Sequence, residues 1–530
     1  MSETETAEAA EQAPSPAEPH IVAISPEAAL REAVLAGRLF GHRHAETASA
    51  VADFVVAADA AALWTWFGAD RAPRLAADPV ALRGALDRDI AALDALLAAQ
   101  LDAVLQHARL RRLEGSWRGL AWLVDGLDPG ARIKVKVLNL GWTELCRDLE
   151  RAAEFDQSQL FRKIYEEEFG SPGGEPYGLL VIDHEVRHRP GPGAPSDDVT
   201  ALANLAGVAA AAFAPTVLAA APALLQVDSF ADLAMVADLS NPFRGPEYAR
   251  WRGIAGREDM RFLALTLPRL LARPPWEDDP ARNDGFRYAE HAPEPETRVW
   301  MTAGYAFAAV AARAFAQHSW PADVRGSETD RVSGGLVLDL PTEPFLTHVG
   351  RRDQEFVCIR PSLDVMLTDR QERALIDAGL MPLSYLPYGE AALFSAVPSL
   401  QTPSQFIGQT AAAANANARI SAQVNYMLCA SRFAHYLKML GREMVGAFRT
   451  ADEIERELQD WVTRFVNANT AAGPETRARY PLVAARVTVK ERPGKPGVYG
   501  CTFLLQPHFQ LDNVSAAFRL TTDITAGGAR

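Results

Sequence analysis

Cysteine is scarce in this sequence: four in 530 residues, at positions 146, 358, 429 and 501, with no CxxC pair. That argues against a disulfide framework and a zinc site, and it suits a reducing compartment. Long apolar runs are missing too. No stretch of about 18 uncharged apolar residues stands out as a membrane span; the richest candidate, Val199 to Leu225, is broken by Pro215 and Pro222 and reads as buried helix and loop. The first residues lack the basic-then-apolar order of a secretory leader. Positive charge is outnumbered, with 53 Lys and Arg against 67 Asp and Glu for a net charge of −14. Nucleic-acid binding needs clustered cations, so that class is not expected. What is present is ordinary globular material, 48% hydrophobic and 23% charged. It is enough for about three or four domains. The expectation is a cytoplasmic, soluble protein without membrane insertion.

Residues 1–19 hold five Glu, three Pro and no Lys or Arg, too little apolar surface to order. A short apolar run, His20 to Ile24, follows. Ser25 and Pro26 read as the N-cap and first turn of a helix reaching about Phe40, either docked on its own domain or exposed to a partner. Pro79 to Leu110 is strongly helical: Leu82, Leu86, Ile90, Leu93, Leu97, Leu101 and Leu105 recur every three or four residues, a stripe explained better by core packing than by a coiled coil. Gly119 to Val124, Ile133 to Leu140 and Leu179 to Ile182 read as strands. Residues 143–168 read as helix, and helices are expected to dominate from the 187–198 loop to about Ala221. Residues 273–297 read as a second loop, and Trp300 to His318 as a buried helix.

A boundary is expected near 360. Beyond it, Asp369 to Ala378 reads as helix, Ala391 to Val397 as strand, Ala411 to about Phe448 as one long helix, and 451–468 as another. The period then drops to two. Val483, Ala485, Val487 and Val489 alternate with polar residues; Tyr499, Cys501, Phe503 and Leu505 repeat the pattern, and Val514, Ala516, Phe518 and Leu520 repeat it again. These are three half-buried strands, with Pro493 to Gly497 turning between the first two. From 475 to 530, eight Lys and Arg face four Asp and Glu. This basic region is either a solvated strand face or a surface for an acidic partner. The fold class expected is α+β, organised as an acidic tail (1–25), a helix and linker (26–78), a middle domain (79–360) and a terminal domain (361–530).

Catalytic patterns do not emerge. Gly170-Ser171-Pro172-Gly173-Gly174 lacks the Gly-Lys-Ser/Thr ending of a phosphate loop and the order of a nucleophile elbow, so a tight turn is expected. His184 and His188 have i,i+4 spacing, but they follow a strand and enter a Pro-rich loop, where that spacing does not converge on a metal. Glu166, Glu167 and Glu168 point in different directions on a helix and cannot act as one carboxylate pair. No catalytic residue, cofactor or metal is expected.

Several segments together carry a family resemblance. They are Leu113 to Leu120 (LEGSWRGL), Phe161 to Gly178 (FRKIYEEEFGSPGGEPYG), Leu265 to Arg269 (LTLPR), and Ala416 to Ala422 running into Ala430 to Lys438 (ASRFAHYLK). Ala478 to Leu482, Pro493 to Gly497 and Pro507 to Leu511 (PHFQL) complete the set. In this order they resemble the large subunit of the type VI secretion contractile sheath, the TssC/VipB family, across roughly residues 80–525. The resemblance implies a non-enzymatic structural subunit. It implies pairing with a small sheath subunit, self-polymerisation into a helical tube around an inner tube, a baseplate, and an AAA+ ATPase that recycles the sheath. It also implies strands exchanged between neighbours, with Val487, Val489, Phe503, Leu505, Phe518 and Leu520 on acceptor strands and Ile21 and Ile24 on a donated one. The motif residues expected to build the fold are Glu114, Gly115, Trp117, Arg118, Gly173, Gly174, Glu175, Pro176, Tyr177 and Arg432. Trp117 and Tyr177 are expected as core anchors rather than interface anchors, and Arg118, Glu166 to Glu168 and Arg432 as members of ion-pair networks within or between subunits. The rivals are a paralogous component of another contractile particle and an enzyme with a dispersed site.

Overall fold

The computed structural model describes residues 30–37, 44–236, 238–239, 242–279, 281, 285–327, 332–348, 355–386, 391–408, 411–446, 450–469, 471–491, 498–508 and 518–525. Ile21, Ile24, the Ser25–Pro26 start of the first expected helix and the Pro493 to Gly497 turn lie outside them. The chain divides into two units, one of residues 1–105 with 276–291 and one of the remainder.

The first unit is helical: α1 (Leu30–Leu35), α2 (His44–Val56), α3 (Asp59–Ala76) and α4 (Pro79–Leu105). Leu30, Val34, Trp66, Phe67 and Ala85 form its core. Buried Asp89 ties three helices together. It accepts from Arg31 Nε at 2.8 Å and from Trp66 Nε1 at 2.9 Å. Burial pushes its carboxyl up, but these hydrogen bonds outweigh it and hold the group below its ordinary value. The leucine stripe expected to be core is split. Leu82 and Leu93 pack inward, whereas Leu86, Ile90 and Leu97 are exposed, because one neighbouring layer covers only one side of a helix.

The second unit is built on a parallel sheet of four strands, β1 (Leu180–Val186), β2 (Thr216–Ala220), β3 (Leu263–Leu267) and the short β4 (Met381–Pro382), in that order. Side chains alternate across it. Leu218 and Leu265 face a core shared with α6 (Trp142–Arg151) and α7 (Asp198–Ala212). Val217 and Ala264 face a core shared with α5 (Ala108–Asp125) and α8 (Ala303–His318). Sheets covered on both faces have continuous apolar strands, which is why Thr216–Ala220 passes for the end of a helical region in the sequence.

Other expectations are corrected by tertiary packing. Gly119 to Val124 is helix, not strand: it ends α5, whose glycine face lies on the strand Val299–Met301 and on α8. A Cβ at Gly115 would collide with the Trp300 carbonyl, and one at Gly119 with the Tyr305 ring. The helix expected over 143–168 breaks after Arg151. The Asp148 carboxylate then accepts the amides of Gln159 and Leu160, each at 3.0 Å, and starts a new turn that runs into a π-helical stretch, Arg162–Gly170. The long helix from Ala411 is two helices, Ala411–Ser421 and α9 (Val424–Gly446). Between them the backbone bonds sideways, Ser399 N to Ala422 O at 2.8 Å and Val424 N to Val397 O at 2.8 Å.

At the C-terminal end the period-two pattern becomes an antiparallel sheet of β5 (Leu482–Glu491), β6 (Val498–Pro507) and β7 (Phe518–Thr525). Val487 stands opposite Phe503, and Phe503 opposite Leu520. The third strand is described from Phe518 onward; Val514 and Ala516, expected on it, lie outside the described residues. Its inner face packs on α9 through Phe433 and Leu437, and on α10 (Ala451–Thr463) through Ile454, Leu458 and Val462.

Candidate subunit interface

A sheet's edge strands carry unpaired N–H and C=O groups, which are joints for another strand unless something covers them. The terminal sheet treats its two edges differently. On β5 the outward groups belong to Ala485, Val487 and Val489, and side chains of α10 bond all three residues. Gln459 Nε2 donates to Ala485 O at 3.1 Å, Val487 N donates to Gln459 Oε1 at 2.8 Å, and Val489 N donates to Glu455 Oε2 at 2.8 Å. The start of β5 is closed as well, by Asn467 N on Leu482 O at 2.7 Å. Helix α10 therefore stands where a fourth strand would. A capping box, Thr450 with Glu453, fixes where that helix begins. At the opposite side, β7 pairs with β6 and with no further strand among the described residues.

Of the expected acceptor-strand residues, Val487, Val489, Phe503 and Leu505 are buried in the chain's own core. These side chains are not available to a neighbour; what their sheet can offer is backbone. Phe518 and Leu520 are placed by register on β7. Sequence reasoning missed Gln459 and Glu455. Their i,i+4 spacing puts them on one helix face, but nothing local says that a strand edge lies beside it.

The motif residues cluster in two places. In the first, Glu114 bridges two arginines: Arg118 Nε donates to it at 2.7 Å and Arg273 Nε at 2.6 Å. Burial raises the Glu114 carboxyl, but the arginines more than offset it and keep it below the ordinary range. Trp117, expected as a core anchor, is 60% exposed. It lies on the outward side of α5, since the inward side is taken by Gly115 and Gly119. In the second place, Gly173 adopts φ +79°, and a Cβ at Gly174 would strike the Glu168 carbonyl. This turn lets Glu175 N donate to Glu168 Oε2 at 2.9 Å. Lys136 pairs with Glu168 and lies over the half-buried Tyr177, Lys134 pairs with Glu175, and Pro176 leads the chain on toward β1. Arg432, expected in an ion-pair network within or between subunits, meets rings within the chain: its guanidinium is 4.5 Å from the Tyr436 centroid and donates to the Tyr436 hydroxyl at 2.9 Å. Glu167 faces Arg162 at 3.7 Å.

The two histidines weighed as ligands diverge. His184 stacks on Trp142 at 4.0 Å and faces Asp198 at 3.3 Å, whereas His188 is buried against Tyr248 at 4.3 Å. Asp198 also gathers Trp142 Nε1, Ser196 Oγ and the Arg187 amide. Among the described residues no group of three or more His, Cys, Asp or Glu is placed to hold a metal. No helix is long and apolar enough to cross a membrane among them. Burial pushes the thiols of Cys146, Cys429 and Cys501 up to about 12, so they are poor nucleophiles.

Comparison with known proteins matches two adjoining families. Residues 87–401 match the VipB (EvpB/VC_A0108) tail sheath N-terminal domain, and residues 413–524 match the tail sheath gpW/gp25-like domain of the same proteins. The type VI secretion system sheath protein TssC1 of Pseudomonas aeruginosa is 37% identical over 440 residues, 82% of this chain and 85% of that protein. With both sheath domains present in order, and identity of that extent over most of both chains, this chain belongs to the TssC/VipB family of type VI secretion sheath proteins.

Proposed function

We propose that this chain is the large subunit of a contractile sheath that works in the cytoplasm, pairs with a small sheath subunit and polymerises with it into a helical tube. The tube encloses an inner tube mounted on a baseplate, and its contraction drives that inner tube and its spike outward. An AAA+ ATPase then dismantles the contracted state. The chain's role is mechanical, with no reaction of its own. Beyond family membership, the observation that supports this reading is the terminal sheet, bonded along β5 by its own helix and, among the described residues, joined to no further strand along β7. A strand added at the β7 edge by a neighbour gives a directional joint, which is what a polymer needs. The donated strand is assigned to His20 to Ile24, with the acidic residues before it drawn toward the basic terminal region.

Co-expression with the small sheath subunit, followed by negative-stain imaging, tests this. Wild-type chain yields tubes; deletion of residues 1–25 abolishes tubes and keeps the pair with the small subunit. Normal tubes from the deletion would overturn the donated strand, and a compact particle from the wild type would overturn the sheath role.

A further inference from the structure

Residues 132–140 read RIKVKVLNL, a sequence that predicts a strand. The chain runs through them with no helix, turn or bend, yet among the described residues they belong to no sheet. Among the described residues, no backbone N–H or C=O from Lys134 to Leu140 is hydrogen-bonded. Val135, Val137, Leu138 and Leu140 are all exposed, Val137 by 61%. A strand-forming sequence with bare backbone and bare apolar side chains is unfinished, since unpaired peptide groups and apolar surface both favour a partner. The segment is nevertheless held in place: Lys134 pairs with Glu175, on the turn that leads to β1, and Lys136 with Glu168, in the π-helical stretch before that turn. The edge is therefore positioned before any partner arrives.

Charge identifies the partner's chemistry. Arg132, Lys134 and Lys136 share one parity with Leu138 and Leu140, and no Asp or Glu lies between 129 and 143. Pairing with a second copy of the same segment would set cations opposite cations or leucines, which disfavours it. Lys134 and Lys136 are already paired with Glu175 and Glu168, so the fitting strand carries a carboxylate opposite Arg132 and apolar side chains opposite Leu138 and Leu140. We propose that residues 132–140 are a strand-docking edge completed by such a strand from a different polypeptide. Under the reading above, that polypeptide is the small sheath subunit. The site is separate from the terminal sheet, and the identity of its partner rests on that reading.

Hydrogen–deuterium exchange on the full chain, alone and in the purified pair, tests it. Amides 134–140 exchange freely in the lone chain and slow by about tenfold or more in the pair. Val137→Pro and Leu138→Pro, one on each parity, remove no internal hydrogen bond; each weakens the pair by about tenfold or more while the melting temperature of the lone chain stays put. A pair that forms with 134–140 still exchanging freely, or that tolerates both prolines, overturns the docking edge and leaves the sheath role standing. Protection that arises only in a homopolymer also overturns it, in favour of a second copy. Failure of the wild-type chain to bind the small subunit at all overturns both readings.

Discussion

Glu114 holds two arginines at once, and one of them, Arg273, is almost wholly buried. Removing the carboxylate takes the anionic partner from that guanidinium, which keeps its bond to the Pro274 carbonyl, so Glu114→Ala should cost about 1–3 kcal/mol in urea unfolding at pH 7. The folded carboxyl titrates below its ordinary 4.5. Its contribution is complete above that value and is lost as pH falls through the lower folded one, so variant and wild type should converge in strongly acidic melts. His435 works with the same sign. It is fully buried with Nε2 3.0 Å from the Ala212 carbonyl oxygen, and burial pushes its imidazole down to about 4. The unfolded chain takes up a proton near pH 6.5. Stability should therefore be full above about 6.5 and fall by about 3 kcal/mol as pH drops through about 4, a slope that His435→Asn flattens. Gly115 is a packing constraint of a harder kind. A methyl there meets the Trp300 carbonyl, which cannot move aside, whereas at Gly119 it meets the movable Tyr305 ring. Gly115→Ala should thus destabilise by about 3 kcal/mol and exceed Gly119→Ala in thermal melts.

At the scale of elements, α10 defines one border of the terminal sheet. Gln459 presents an amide that mimics a strand's own donor and acceptor to Ala485 and Val487. Gln459→Leu should cost about 1–3 kcal/mol, the loss of those bonds with the backbone left unpaired. It also opens the β5 edge, so light scattering of the purified chain should show self-association that wild type lacks. Wild-type scattering from the variant would mean that the helix, not its amide, guards the edge. The strands of this sheet were legible because one face is buried and period two survives it. Residues 132–140 carry the same signal, yet no strand among the described residues pairs with them. Propensity predicts a strand; whether it finds a neighbour is a matter of topology.

Over the whole molecule, four thiols divide by depth. Cys146, Cys429 and Cys501 are buried with raised pKa, while Cys358 is half-buried. A maleimide reagent on the native chain at neutral pH should modify Cys358 and spare the others; labelling of Cys429 before unfolding would contradict the packing around it. The charge asymmetry also acts at this scale. An acidic start and a basic terminal region in a chain of −14 favour meetings between different subunits, and raised salt should weaken those meetings.

The sequence by itself determined the mixed helix and strand class, the period-two terminal strands, the glycine turn at Gly173 and Gly174, and the family, because local pattern and ordered motifs are properties of the chain alone. Tertiary structure decided the rest. It turned Gly119 to Val124 into helix, made Thr216–Ala220 a central strand, exposed Trp117, placed Arg432 over the Tyr436 ring and set Gln459 and Glu455 against a strand edge. Each of these depends on what a distant segment brings to the same place. A short apolar run is equally content in a helix or a strand until its neighbours choose.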